Sequence, residues 1–225
     1  MRKIFFVLWL GSILPFFSYA QDANKIMDAI TLRMSKVKDY SVRANIKSDI
    51  PMIKILPVNA TLYYKQKDQF KMVSKGIAIL PKQGFTDLTK IIRQKGTYTA
   101  FVTGNEMQNK TPITIISILP LSDTSDVVLL KIWVDPNLNI VKSQMTTRSS
   151  GTLTATYEYG LQAAYGLPDR MVFTMDVKKF KIPKGLTTDI QRQSNPNQVV
   201  PKTGTIYILL SNYSINKGID DAVFR

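Results

Sequence analysis

Two periodicities organise the chain. Ile26, Met27, Ile30, Met34 and Val37 recur at spacings of three and four, which puts them on one stripe of a helix and leaves Lys25, Asp28 and Arg33 off it. Asp22 precedes this run as a capping residue, and the stripe predicts an amphipathic helix from Ala23 to about Lys38 and Asp39. From Tyr40 the period becomes two. Tyr40, Val42, Ala44 and Ile46 alternate with Ser41, Arg43, Asn45 and Lys47, as in a strand wet on one side. Val58, Ala60, Leu62 and Tyr64 repeat this pattern. Lys67 and Asp68 then make a turn into a return strand carrying Phe70 and Met72. Residues 77–80 (Ile-Ala-Ile-Leu) predict a further strand after a bend at Gly76.

Phe85, Leu88, Ile91 and Ile92 return to helical spacing and predict a short second helix over residues 84–94. Strands then follow in hairpin rhythm. The first spans residues 98–103, turns at Gly104 and Asn105, and is followed by 113–119 and 127–134; Asp135-Pro136-Asn137 is a strong turn signal. Residues 140–148 and 152–159 flank the next turn, with Leu153, Ala155, Tyr157 and Tyr159 sharing a face. Met171, Phe173, Met175 and Val177 alternate with polar residues. Residues 181–202 are rich in Pro, Asn, Gln and Thr, a tether or a functional loop. A last strand over 204–213 closes the sheet, and 219–224 form a short cap. The class is mainly β with α. Consecutive strands joined by short turns make an antiparallel meander, and so many strands curl rather than stay flat. Each helix has one apolar stripe, which suits it to cover the concave face.

The N-terminus changes where that domain begins. Arg2 and Lys3 precede an apolar run over residues 4–17, broken by Gly11 and Pro15, and Ser18-Tyr19-Ala20 supplies small residues at the positions a signal peptidase reads. Residues 1–20 are therefore expected to be a cleaved signal peptide, cut after Ala20, and residues 21–225 a single exported domain. The whole chain has no cysteine and no histidine. Disulfides cannot hold the fold, Gln21 cannot carry the lipid of a lipoprotein, and zinc sites of the His or Cys type and Ser-His or Cys-His nucleophile pairs are excluded. No cofactor is expected. The formal charge is +14, and it stays clearly positive without Arg2 and Lys3. That balance fits a solvated basic surface or an anionic partner. Nucleic acid is not expected, because the lysines are scattered along polar strand faces.

With the usual catalytic residue types missing, the informative feature is the apolar inventory. Phe70, Met72, Tyr157, Phe173 and Met175 are candidates for the concave side, with Ile79 beside them. Large, partly unbranched side chains of this kind can repack around differing guests or simply fill a closed core.

Order and spacing decide which reading to follow. The exported start, the helix over 26–37, the strand over 40–46 and the hairpin from Leu62 through Lys67 and Phe70 to Met72 resemble the opening of the periplasmic lipoprotein carriers, the LolA-like family. Ile132-Trp133-Val134-Asp135-Pro136-Asn137 resembles that family's Trp-x-Asp-Pro hairpin, and Tyr157 to Tyr159 with Gly166-Leu167-Pro168 resembles the strand and Leu-Pro loop that follow. Tyr213-Ser214-Ile215-Asn216, Asp220-Asp221 and Phe224 resemble the ending of carrier-like proteins of the Bacteroides group.

The resemblance implies an incomplete, strongly curved antiparallel β-barrel, a half-barrel whose mouth is lidded by helices. It implies a monomeric, non-enzymatic carrier that shelters lipoprotein acyl chains, or a related lipid, between an inner-membrane releasing complex and an outer-membrane acceptor. On this reading Phe70, Met72, Ile79, Tyr157, Phe173 and Met175 bind lipid, and Ile30, Met34, Leu88 and Ile92 form the lid. The family's lid-holding arginine in the hairpin before the Phe is here Lys67, which cannot make the same bidentate contacts, and its Trp two residues after the Phe is Met72. Relatives of the fold also include a regulator that binds a stress-signalling partner, so an envelope sensor is the rival reading. A carbohydrate- or peptidoglycan-active enzyme using Asp135 or Asp176 ranks last, since acidic residues are few and mostly sit in turns.

Overall fold

The computed structural model describes residues 23–51, 55–81, 86–176 and 203–225. Twelve elements carry the argument. Helix α1 is Ala23–Ser35, and strands β1 (Asp39–Asp49), β2 (Val58–Lys65) and β3 (Gln69–Ser74) follow. Helix α2 (Leu88–Arg93) leads to β4 (Tyr98–Gln108), β5 (Thr111–Pro120), β6 (Val127–Val134), β7 (Ile140–Thr147), β8 (Gly151–Glu158), β9 (Arg170–Asp176) and β10 (Thr203–Ile215). Single 3-10 turns lie at Ala163–Tyr165 and Asp221–Phe224.

All ten strands form one antiparallel sheet in the order β3-β2-β1-β10-β9-β8-β7-β6-β5-β4. β3 and β4 are its edges, so the barrel is not closed. β1–β3 form one meander and β4–β9 another, while β10 inserts between β1 and β9 and joins the two. The expected closing strand thus lies inside the sheet, where both of its edges are paired.

Alternation along each strand sets the inner face. In β1, Tyr40, Val42, Ala44 and Ile46 are buried, and in β10 so are Ile206, Ile208 and Leu210. α1 lays Ala23, Ile26, Met27 and Ile30 into the concavity and leaves Leu32 outside. Where α1 ends, the carbonyl of Ser35, which the helix cannot satisfy internally, and those of the next two residues accept hydrogen bonds from distant side chains. Gln66 Nε2 donates to Ser35 O and Val37 O (both 3.1 Å), and Asn216 Nδ2 donates to Lys36 O (2.8 Å).

Three expectations need correction. Residues 77–81 form no strand; they carry the chain from edge strand β3 toward α2, and only Ile79 and Pro81 among them are buried. The turn placed at Gly104 and Asn105 is instead a bulge, with the ladder shifting between Val102 and Gly104. The hairpin really turns at Asn109 and Lys110, both with positive φ (47° and 66°), as a two-residue turn that follows the strand twist requires. Third, helix α1 stops at Ser35, short of Lys38, since Asp39 is already paired with Lys65. The proposed signal peptide, the Asp22 cap and the segment 181–202 lie outside the described residues.

Candidate functional site

One end of the concavity is not filled. A hollow with a free volume of about 120 Å³ opens there, lined mainly by apolar side chains. The sheet floor supplies Tyr40, Tyr64, Phe70, Ile140, Tyr157, Tyr159, Met171, Leu210 and Tyr213. α1 roofs it with Ile30, Arg33 and Met34, followed by Val37 just beyond the helix, α2 with Leu88, Thr89, Ile92 and Arg93, and the loop Tyr165-Gly166-Leu167-Pro168 walls one side.

Strand register explains this lining. Tyr40, Tyr64 and Phe70 are aligned across β1, β2 and β3. The Tyr40 and Tyr64 rings stack at 5.2 Å, and Tyr213 meets Tyr40 edge-on at 5.8 Å. Tyr157, Met171 and Ile208 form a second row across β8, β9 and β10. The next inward-facing rows, Ala155–Phe173–Ile206 and Leu153–Met175–Gly204, lie farther along the same strands.

The predicted residues therefore separate. Phe70 and Tyr157 line the hollow, as do all four lid residues, Ile30, Met34, Leu88 and Ile92. Phe173 (0% exposed), Met175 and Ile79 are buried in the core, and Met72 packs against it, without lining the hollow.

The polar groups of the site are mostly spoken for. Ser143 Oγ and the Tyr157 hydroxyl lie 2.8 Å apart, Tyr159 Oη donates to Ile140 O (3.0 Å), and Tyr213 Oη to Pro168 O (2.7 Å). Burial pushes the phenols of Tyr40, Tyr157, Tyr159 and Tyr213 well above their usual range, because it penalises the anion; these four are neutral at ordinary pH. Arg93 Nη1 donates to Tyr64 Oη.

Arg33 makes the main tie between lid and sheet. Its Nη1 donates to Asn137 O (3.1 Å) and Asn139 Oδ1 (2.9 Å), and its Nη2 to Leu138 O (2.5 Å). Asp135 holds that turn in shape, accepting from Asn139 N (2.7 Å) and Asn139 Nδ2 (2.9 Å). Lys67 itself is exposed on the β2–β3 turn with φ 73°, and its neighbour Gln66 bonds α1 instead. α1 and α2 are joined more loosely, by an exposed Asp28–Lys95 ion pair (2.6 Å) and a long bond from Thr31 Oγ1 to Ile92 O (3.3 Å).

Sequence reasoning placed Arg33 off the helix stripe and passed over Tyr40, Tyr64, Leu210 and Tyr213 as site residues. Their inward parity was readable for the strand residues; that they meet at one end was not, since it depends on the register of β10 between β1 and β9.

The whole architecture is shared with solved structures. A LolA superfamily protein from Nitrosomonas europaea superposes with a TM-score of 0.60 at 11% identity, over 90% of this chain and 97% of that one. The fold is LolA-like. A protein domain from Vibrio parahaemolyticus described as outer-membrane lipoprotein-sorting matches this LolA-like fold with a TM-score of 0.54 at 11% identity, and a DUF1329 family protein from Desulfovibrio piger with 0.51 at 13%; both cover 90% of this chain and 97% of the other. No protein-family model matches the sequence. No curated protein matches it either. The LolA-like frame thus agrees with the resemblance read from the Trp-Val-Asp-Pro hairpin and the Leu-Pro loop, while the residues filling it have diverged.

Proposed function

We propose that the protein is an exported, periplasmic lipid-binding protein that takes acyl chains of lipoproteins, or of a related lipid, into the hollow beneath α1 and α2 and escorts them toward the outer membrane. The observation that carries this reading is an apolar space kept open inside an otherwise packed sheet and roofed by two helices. Each methylene withdrawn from water contributes about 0.8 kcal/mol, so a long chain needs such a shelter to cross an aqueous gap.

The free volume also sets a condition. At about 120 Å³ it approaches the roughly 150 Å³ engineered cavity that holds one benzene. It accommodates a short hydrocarbon segment, and a full chain requires the roof to move. The exposed Asp28–Lys95 ion pair beside the two helices contributes only about 0–1 kcal/mol, so the cost of moving the roof lies in uncovering Leu88 and Ile92, which an acyl chain taken into the hollow would cover again. An inner-membrane donor and an outer-membrane acceptor complete this proposal.

The test is native mass spectrometry of the protein purified from its envelope, with titration of a fluorescent acyl probe. A co-purifying lipid and saturable probe binding are expected. Absence of both would remove the lipid reading and favour the protein-binding sensor of the same fold.

A further inference from the structure

Tyrosine hydroxyls withdrawn from water find a partner as a rule, because an unmade hydrogen bond there is costly. On the floor of the hollow four tyrosines obey it. Tyr157 Oη lies 2.8 Å from Ser143 Oγ, Tyr159 donates to Ile140 O, Tyr213 donates to Pro168 O, and Tyr64 accepts from Arg93. Tyr40 does not. It lines the same hollow and is 9% exposed, yet its hydroxyl makes no hydrogen bond among the described residues; burial and the neighbouring Tyr64 phenol are all that act on it. The atom is also reachable. Among the described residues Arg33 Nε and Trp133 Nε1 are the unpartnered side-chain atoms sealed from all space, and Tyr40 Oη is not one of them.

The ring cannot swing away to find a partner elsewhere. Tyr64 stacks on it at 5.2 Å and Tyr213 meets it edge-on at 5.8 Å, and both neighbours are tied by their own hydroxyls. Its place along the strand orients a guest. Tyr40 is the second residue of β1, at the end of the sheet. Leu210 and Met171 belong deeper: Leu210 pairs with Ala44, and Met171 pairs with Ile208, itself opposite Ile46. Burial keeps the Tyr40 phenol protonated at ordinary pH, so it offers an O–H to an uncharged acceptor with no need of a counter-charge. A carboxylate would need more than one such donor to offset its desolvation.

We propose that Tyr40 is a specificity-determining contact of the hollow: its hydroxyl donates to the carbonyl oxygen of an ester-linked acyl chain, whose tail runs inward past Met171 and Leu210. The inference rests on the lipid-binding reading and narrows it from free fatty acids to acyl chains carried as esters.

Tyr40→Phe removes the oxygen and keeps the ring. Wild type and variant are titrated with methyl dodecanoate, dodecanoate and pentadecane, delivered from cyclodextrin, in competition with a neutral fluorescent hydrocarbon probe. Methyl dodecanoate and pentadecane have equal numbers of heavy atoms. Wild type is expected to bind the ester about three- to ten-fold more tightly than the variant does, the worth of one neutral hydrogen bond, while pentadecane is indifferent to the change. In infrared spectra the carbonyl stretch of the ester bound to wild type should lie below its position in alkane solvent and below that in Tyr40→Phe, a shift that altered packing alone does not produce. Without ligand, Tyr40→Phe should melt no lower than wild type, since no bond is lost. Equal ester affinity in the two proteins, an alkane-like carbonyl stretch in wild type, or a marked fall in the variant's melting temperature overturns the contact. A larger hydroxyl-dependent gain for dodecanoate than for the ester overturns the ligand class. Each of these leaves lipid binding standing. Failure of the probe to bind and of every compound to stabilise the protein removes the lipid reading and the contact with it.

Discussion

Shortening Ile30 to alanine should weaken the fold and strengthen the ligand at the same time. Ile30 is 1% exposed, belongs to the inner face of α1 and lines the hollow. Removing three buried carbon atoms costs about 2–4 kcal/mol, the usual range for such a truncation. In a chain of this length that lowers the melting temperature by roughly 5–15 °C. The same deletion enlarges the hollow, so an acyl chain regains up to three methylene contacts at about 0.8 kcal/mol each, or at most about 60-fold in affinity. Met27 supplies the control. It is also 1% exposed on the same face, yet it does not line the hollow. Met27→Ala should lose similar stability without the gain in affinity. Thermal scans with and without hexadecanoate, with calorimetric titration, read both quantities. If Ile30→Ala binds no tighter than wild type, or Met27→Ala gains as much, the hollow is not where the chain lies.

The remaining expectations can be tested in parallel. Phe173→Leu should lower the melting temperature through its packed core position while leaving acyl-probe affinity unchanged; a selective loss of binding would extend the site beyond the hollow. Asp135→Ala should destabilise by about 1.5–3 kcal/mol, because two hydrogen bonds to a charged carboxylate shape the turn that grips Arg33, and hydrogen exchange should rise in α1 before the sheet. Alkaline titration has a definite sign. The folded-state pKa values of Tyr40, Tyr157, Tyr159 and Tyr213 stand above the unfolded value, so their contribution to stability is full below about pH 10 and is lost as the pH climbs through the folded values. Tyrosinate absorbance should show these four ionising only with unfolding; four freely titrating phenols would contradict their burial.

Much of the fold was legible because a half-buried sheet writes its inner face into every second residue. Tyr40 to Ile46 and Leu153 to Tyr157 could be assigned to a face directly, and the Ile26–Ile30 stripe could belong only to a helix on an apolar surface. Other features depended on context beyond the local pattern. Residues 77–80 look like a strand by composition, yet no neighbouring edge pairs with them. Gly104 looks like a turn, but positive φ was needed at Asn109 and Lys110 instead. The site was harder still. All inward-facing large residues look alike in sequence, and only register separates Tyr157 and Met171, which border empty space, from Phe173 and Met175, which are packed over. Arg33 was hidden for a different reason: its partners, Asn137 to Asn139, lie about a hundred positions away and are mostly backbone carbonyls, which carry no residue-type signal.

The placement of β10 has a consequence for how the molecule is made. Ala44 pairs with Leu210, so one of the earliest strands waits for the last before it gains its second neighbour. Joining segments so remote costs loop entropy before any contact repays it, and such topologies are slow to fold. While the chain is being made, N-terminus first, β1 has one edge unpaired, and its apolar face only partly covered, until β10 arrives. The unfinished protein is thus open to aggregation and proteolysis until β10 is in place, and holding factors should matter most during that interval.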